Sequence, residues 1–132
     1  MRNQFPCEVM RLQAWRGLLR VSLGLPGGGT LCSRITRESA ELLSLRPGLA
    51  VLALCKATAV QVGTTLQAQP GRNLLQGRVQ RASQASAGGE AVLALPGAVQ
   101  VVGFLEVPRS LRPGLDAVAS VDESAVVIAL AG

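Results

Sequence analysis

The chain repeats itself, and this constrains its fold more than any other feature. Arg2-Asn3 recurs as Arg72-Asn73, and Leu25-Pro26-Gly27 as Leu95-Pro96-Gly97, both at an offset of 70 residues. Leu45-Arg46-Pro47-Gly48-Leu49 recurs as Leu111-Arg112-Pro113-Gly114-Leu115 at an offset of 66. Two motifs sharing one offset, with a third slipped by four residues, describe a duplication carrying a four-residue deletion between Gly97 and Leu111. Residues 63–71, polar and containing Pro70-Gly71, read as the linker, which places one domain at 1–66 and the other at 67–132. Each copy, about 65 residues, lies near the lower limit for a self-sufficient core, so the copies are expected to pack on one another.

Within each copy the pattern is mostly strand. Residues 7–12 and 18–25 alternate roughly by two, and 51–54 and 59–62 are short apolar runs bounded by turn residues. The second copy offers 77–82, 91–95, 99–105, 117–121 and 125–130. One helix is expected: Thr36 can cap it, Glu38 sits in its first turn, and Ala40, Leu42, Leu43 and Leu45 supply an apolar side. Arg46-Pro47-Gly48-Leu49 stops it in a type II turn, with Gly48 at the position that needs positive φ. In the second copy Glu106-Val107-Pro108-Arg109-Ser110 leaves room for one turn at most. Four or five short strands with one late helix predict an all-β chain of two tandem OB-like antiparallel barrels, the first carrying the short helix.

Composition narrows the chemistry. Apolar residues are 48% and charged residues 16%, against about 25% charged in an average domain, which excludes disorder and predicts apolar surface covered by further copies of the chain. There is no His and no Tyr, so the usual general base and the commonest transition-metal ligand are both missing, and no enzyme is expected. Cys7, Cys32 and Cys55 follow no metal-binding spacing and read as small buried hydrophobes in a reducing cytoplasm. The N-terminal stretch has no apolar segment behind its charge, so no signal peptide is expected, and no apolar run approaches the ~20 residues of a membrane helix. Thirteen cations against eight anions, twelve of them Arg and the one Lys being Lys56, favour an anionic partner. Three aromatics in the whole chain make a poor stacking platform, so that partner is not expected to be nucleic acid.

Three elements stand out as candidates for anion binding. Arg2-Asn3 and Arg72-Asn73 are each placed just ahead of the first strand of a copy, and Lys56-Ala57-Thr58 lies between two apolar strands. Arg, Asn, Lys and Thr all bring hydrogen-bond donors, and turn amides add more. Donors converging without a carboxylate suit an anion that only accepts hydrogen bonds.

On these residues the chain resembles the Mop (TOBE) domain family, whose pattern runs Ser-Ala-Arg-Asn-Gln, a strand, Ile-Thr-x-Glu-Ser with a helix, a Gly turn and Lys-Ala-Ser/Thr. The first copy has Arg2-Asn3-Gln4, Ile35-Thr36-Arg37-Glu38-Ser39 and Lys56-Ala57-Thr58 in that order. The second keeps Arg72-Asn73, Gly77, Leu95-Pro96-Gly97 and the Pro113-Gly114 turn, so the tandem form is similar to the molbindins. The resemblance implies cytoplasmic binding of molybdate or tungstate without catalysis or an organic cofactor. It implies sites at interfaces between domains of a homo-oligomer, a trimer, drawing on the Arg-Asn and Lys-Ala-Ser/Thr segments. It carries Arg2, Asn3, Lys56, Ala57, Thr58, Arg72, Asn73 and Ser124 as oxyanion ligands. It leaves open which Arg-Asn pair faces Lys56. The hydroxyl before Arg-Asn is lost in both copies, and Lys-Ala-Ser has become Asp122-Glu123-Ser124. Two carboxylates would repel a dianion, so the Lys56 site is expected to work and the Ser124 site to be weak or lost.

Molybdate and tungstate carry no proton at neutral pH, whereas phosphate does and needs an acceptor in its site. A donor-only site therefore disfavours phosphate by roughly 1–3 kcal/mol for each buried hydrogen bond left unmade. Sulfate makes the same demand and is excluded only by size. Storage or homeostasis is the leading function. The alternative is a molybdate-sensing module acting with a separate transporter or regulator, since the chain has neither a phosphate-binding loop nor a helix-turn-helix.

Overall fold

The computed structural model describes residues 2–83, 89–105 and 111–131. Among the described residues there are ten strands: β1 (Asn3–Trp15), β2 (Leu18–Gly24), β3 (Thr30–Ile35), β4 (Ala50–Cys55), β5 (Val60–Gly63), β6 (Arg72–Ala82), β7 (Glu90–Leu95), β8 (Val99–Leu105), β9 (Asp116–Asp122) and β10 (Val127–Leu130). One helix, α1 (Arg37–Leu42), begins where Thr36 accepts a hydrogen bond from the Ser39 amide at 3.0 Å. The expected turn at 106–110 lies outside the described residues.

The strands form two sheets, ordered β10-β4-β1-β2-β3 and β5-β8-β7-β6-β9, the second closed into a barrel. Each sheet thus holds four strands of one copy and the last strand of the other. A single 3₁₀ turn, Ala57–Ala59 after β4 and Glu123–Ala125 after β9, sends the chain across. The barrel closes through a parallel pair, β5 with β8. Gly103 permits this closure, because a Cβ there would meet the Val60 backbone. At the equivalent point of the first sheet stands Ser33, and its hydroxyl donates to the Val126 carbonyl at 2.6 Å. A side chain bridges there in place of a strand pair, and the first sheet keeps β10 and β3 as its edges instead of closing as expected.

The repeat is visible in the backbone. Leu49 donates to the Arg46 carbonyl and Leu115 to the Arg112 carbonyl, with Gly48 and Gly114 at φ +92° and +89°. Each turn then pairs with a bulged strand: Val9 exchanges hydrogen bonds with Gly48 and Leu49, and Val79 with Gly114 and Leu115. The two Leu-Pro-Gly turns meet each other. A Cβ on Gly27 would overlap the Pro96 backbone, and one on Gly97 would overlap Gly27. Phe5, Val21, Leu23, Val51, Val60, Leu93, Val101 and Val121 belong to one continuous apolar cluster spanning both sheets. Two copies, each near the lower size limit for a core of its own, thus share one.

Two placements differ from expectation. β3 showed no alternation because Leu31, Cys32 and Ser33 are buried in succession between the sheets. Asn3, Arg72 and Asn73 lie inside strands β1 and β6, not ahead of them. The three thiols are free and buried. Burial pushes the Cys7 thiol up to about 11, and raises Cys55 as well.

Two outcomes follow from this packing. Gly27→Ala is expected to destabilise the chain by about 1–3 kcal/mol, read from the urea midpoint, while Gly29→Ala, whose Cβ meets only Leu25 at ordinary contact, should be near neutral. Equal effects would contradict the turn-on-turn contact. Alkylation of the thiols at pH 8 should be at least tenfold slower in the native chain than in urea, since burial both blocks access and disfavours the thiolate. Comparable rates would show that the thiols are not held in the core.

Candidate functional site

Each copy opens with an asparagine that reaches into the other copy. Asn3 is buried, with its Nδ2 donating to the Val102 carbonyl and its Oδ1 accepting from the Val102 amide, both at 2.8 Å. Asn73 does the same at Cys32, accepting at 2.7 Å and donating at 2.9 Å. Cys32 and Val102 are equivalent positions at the offset of 70. A side-chain amide has the shape of a peptide group, so each Asn extends the backbone ladder sideways and ties β1 to β8 and β6 to β3. The Asn residues were expected as anion donors, and each is engaged in the fold through its carbonyl and amide, Asn3 also through a hydrogen bond with the Cys55 thiol.

The two Lys-Ala-Thr-type turns sit at these same junctions. Asn3 pairs in register with Cys55, just before Lys56, and Arg72 pairs with Asp122. The structure therefore brings Arg2-Asn3 beside Lys56-Ala57-Thr58, and Arg72-Asn73 beside Asp122-Glu123-Ser124. At the second turn the Ser124 amide and hydroxyl both donate to Asp122 Oδ1, at 2.8 and 2.7 Å. These bonds, ahead of the nearby Arg34 and Arg72, hold the Asp122 carboxyl below the usual carboxylate range. At the first turn Lys56 stands in place of Asp122 and makes no side-chain cap. Lys56 and Thr58 are exposed while Ala57 is buried, and among the described residues no hydrogen bond or ion pair engages the Lys56 ammonium or the Thr58 hydroxyl.

The arginines have partners that the sequence reading missed. Arg2 binds Glu90 of the other copy in a two-pronged pair, Nη1 to Oε2 at 2.6 Å and Nη2 to Oε1 at 2.9 Å. Arg72 Nε donates to Ser120 Oγ at 2.8 Å. Glu123 does not face an incoming anion. It is 2% exposed and accepts from Arg20 and Arg34. The expected repulsion by two carboxylates is corrected accordingly: Glu123 is paired, and the donors of Ser124 are taken up by Asp122. Comparing equivalent positions would have exposed these partners, since Ala57 corresponds to Glu123, Arg20 to Glu90 and Arg34 to Phe104. A surface groove of about 590 Å³ is lined by Gln76, Arg78, Pro96 and Asp116 among others and holds none of the candidate residues. Among the described residues no group of three or more acidic, Cys or His side chains could hold a metal cation.

Residues 1–62 match the TOBE domain family. The molybdenum-pterin-binding protein MopA of Rhodobacter capsulatus is 30% identical over 137 aligned positions, covering 98% of this chain and 51% of MopA. The chain thus spans about half the length of that relative. Among solved structures, the cytoplasmic molybdate-binding protein ModG, crystallised with molybdate bound, shares the fold with a TM-score of 0.86 at 30% identity, covering 98% of this chain and 96% of ModG. Likeness to ModG along nearly the whole of both chains, with the TOBE match over the first copy, shows that this chain belongs to the TOBE-domain family of Mop-type proteins.

Proposed function

We propose that the chain binds molybdate, and tungstate alike, at the junction of Asn3, Lys56, Ala57 and Thr58, and serves molybdenum storage or homeostasis inside the cell. The reading rests on the contrast between two equivalent turns. At Ser124 the turn amide and hydroxyl already hold an anionic oxygen, that of Asp122. At Thr58 the same two donors stand beside an ammonium instead of a carboxylate. An oxygen of an outside anion can take the place there that Asp122 Oδ1 takes in the second copy. ModG carries molybdate in its crystal, and that likeness supports the choice of anion. The donor set itself supports an unprotonated oxyanion over phosphate, which would leave its own O–H unpaired. Arg72, Asn73 and Ser124 mark the counterpart in the second copy, where Asp122 already takes both Ser124 donors and puts a carboxylate in place of the Lys56 ammonium, so that site is weak or lost.

Lys56 and Thr58 face solvent, so a second chain is needed to close the site. We read the assembly as a homo-oligomer, a trimer, with the edge strand β10 and its exposed Val127 and Leu130 as one contributor of apolar surface.

Calorimetric titration tests the site. Wild-type chain is expected to saturate with molybdate and to give no heat with phosphate. Lys56→Ala should weaken molybdate binding about ten- to a hundredfold, the worth of one charge-assisted hydrogen bond of roughly 1.5–3 kcal/mol. Unchanged affinity would overturn the assignment of Lys56. Native mass measured with and without the anion reads the number of chains and the occupancy together.

A further inference from the structure

Glu123 lies at the second junction in a setting that resembles an occupied binding site. Its Oε1 accepts from Arg20 Nε at 3.0 Å and from Arg34 Nε at 3.2 Å, and its Oε2 accepts from Arg20 Nη2 at 2.8 Å. The carboxylate is almost wholly enclosed, with its side chain 2% exposed, while Arg20 and Arg34 are 40% and 16% exposed. Both partners come from the first copy and Glu123 from the second. Arg34 is held independently of Glu123: its Nη2 donates to the Gly71 carbonyl at 3.1 Å, and its guanidinium lies 4.2 Å from the Trp15 ring centroid. A hole left by the carboxylate would thus keep at least one preset guanidinium wall.

The equivalent junction is built without these charges. Ala57 stands where the second copy has Glu123, and Glu90 and Phe104 stand where the first has Arg20 and Arg34. The acid is present where the two guanidinium groups face it, and alanine is present where they do not. Two planar donor forks converging on acceptor-only oxygens are the means by which proteins hold carboxylate, sulfate and related oxyanions.

We propose that Arg20 and Arg34 form an oxyanion site which the chain fills with its own Glu123 carboxylate, and that removing this side chain opens the site to a small external carboxylate or tetrahedral oxyanion. This rests on the ion cluster alone and stands apart from the reading of Lys56. Without Glu123, Arg20 and Arg34 lose the carboxylate they share in a partly buried space, and only Asp122, near Arg34, is left to offset their charge, which destabilises the fold. An anion entering the space restores the charge balance and binds the folded state only, so it raises stability with concentration.

The test is anion rescue of Glu123→Ala, followed by thermal melting and by the emission of Trp15, the one tryptophan of the chain. Sodium acetate and sulfate are each compared with chloride at equal ionic strength. In chloride the variant is expected to melt several degrees below wild type. Acetate or sulfate should restore most of the loss in a saturable manner while shifting wild type far less. Glu123→Gln, which fills the space without charge, should be destabilised and not rescued. The double variant Arg34→Ala/Glu123→Ala should lose the response. Should Glu123→Ala not fold in chloride, the same rescue is read as recovery of native Trp15 emission on refolding with acetate. No effect of these anions beyond chloride in either format, or an equal response in the double variant or in Glu123→Gln, would overturn the proposal.

Discussion

The side-chain amides of Asn3 and Asn73 set the relation between the two halves of this chain. Each is buried, and each exchanges two hydrogen bonds with the backbone of one residue in the opposite copy. Buried backbone groups left without partners cost roughly 1–3 kcal/mol apiece, so these contacts fix the position of β1 against β8 and of β6 against β3. The exchanged strands β5 and β10 then complete sheets begun by the other copy, and the apolar cluster runs through both. The 3₁₀ turns that carry the chain across are placed at the same junctions.

Duplication made two equivalent junctions, and substitution made them different. One has an ammonium and an exposed hydroxyl beside a turn. The other has a carboxylate capping the turn and a second carboxylate enclosed by two guanidinium groups. Buried charge persists only where it is paired, and both carboxylates of the second junction are satisfied from within the chain. The first junction keeps a net positive group with no internal partner among the described residues. Charge placement thus separates a junction with an unpaired ammonium, the one proposed to take an anion, from one whose carboxylates are satisfied within the chain.

Much of the fold was legible in the sequence, because the elements that carry it are local. Alternation or short apolar runs between turn residues marked most strands, Thr36 marked the start of α1, and Gly48 and Gly114 marked turns that need positive φ. β3 was hidden because a strand covered on both faces loses its period of two. The exchange of β5 and β10 was hidden because a four-residue strand carries nothing that says which sheet it joins. Of the candidate site, the Arg-Asn pairs were legible from their repetition and the turns at Lys56 and Ser124 from the family resemblance, but their roles were not. Asn3 and Asn73 looked like free donors, and their partners lie 99 and 41 residues away. Glu123 looked like a surface carboxylate, with Arg20 and Arg34 at separations of 103 and 89 residues. No local pattern reports such distances, although comparing the two copies position by position points to the partners of Glu123.

Crystals grown with molybdate and measured across the molybdenum absorption edge test the central claim, that the two junctions differ in their capacity for an anion. The account predicts an anomalous peak within hydrogen-bond distance of Lys56 and the Thr58 turn, and none at Ser124. Equal peaks at both turns, or molybdenum bound away from Lys56 altogether, would contradict it.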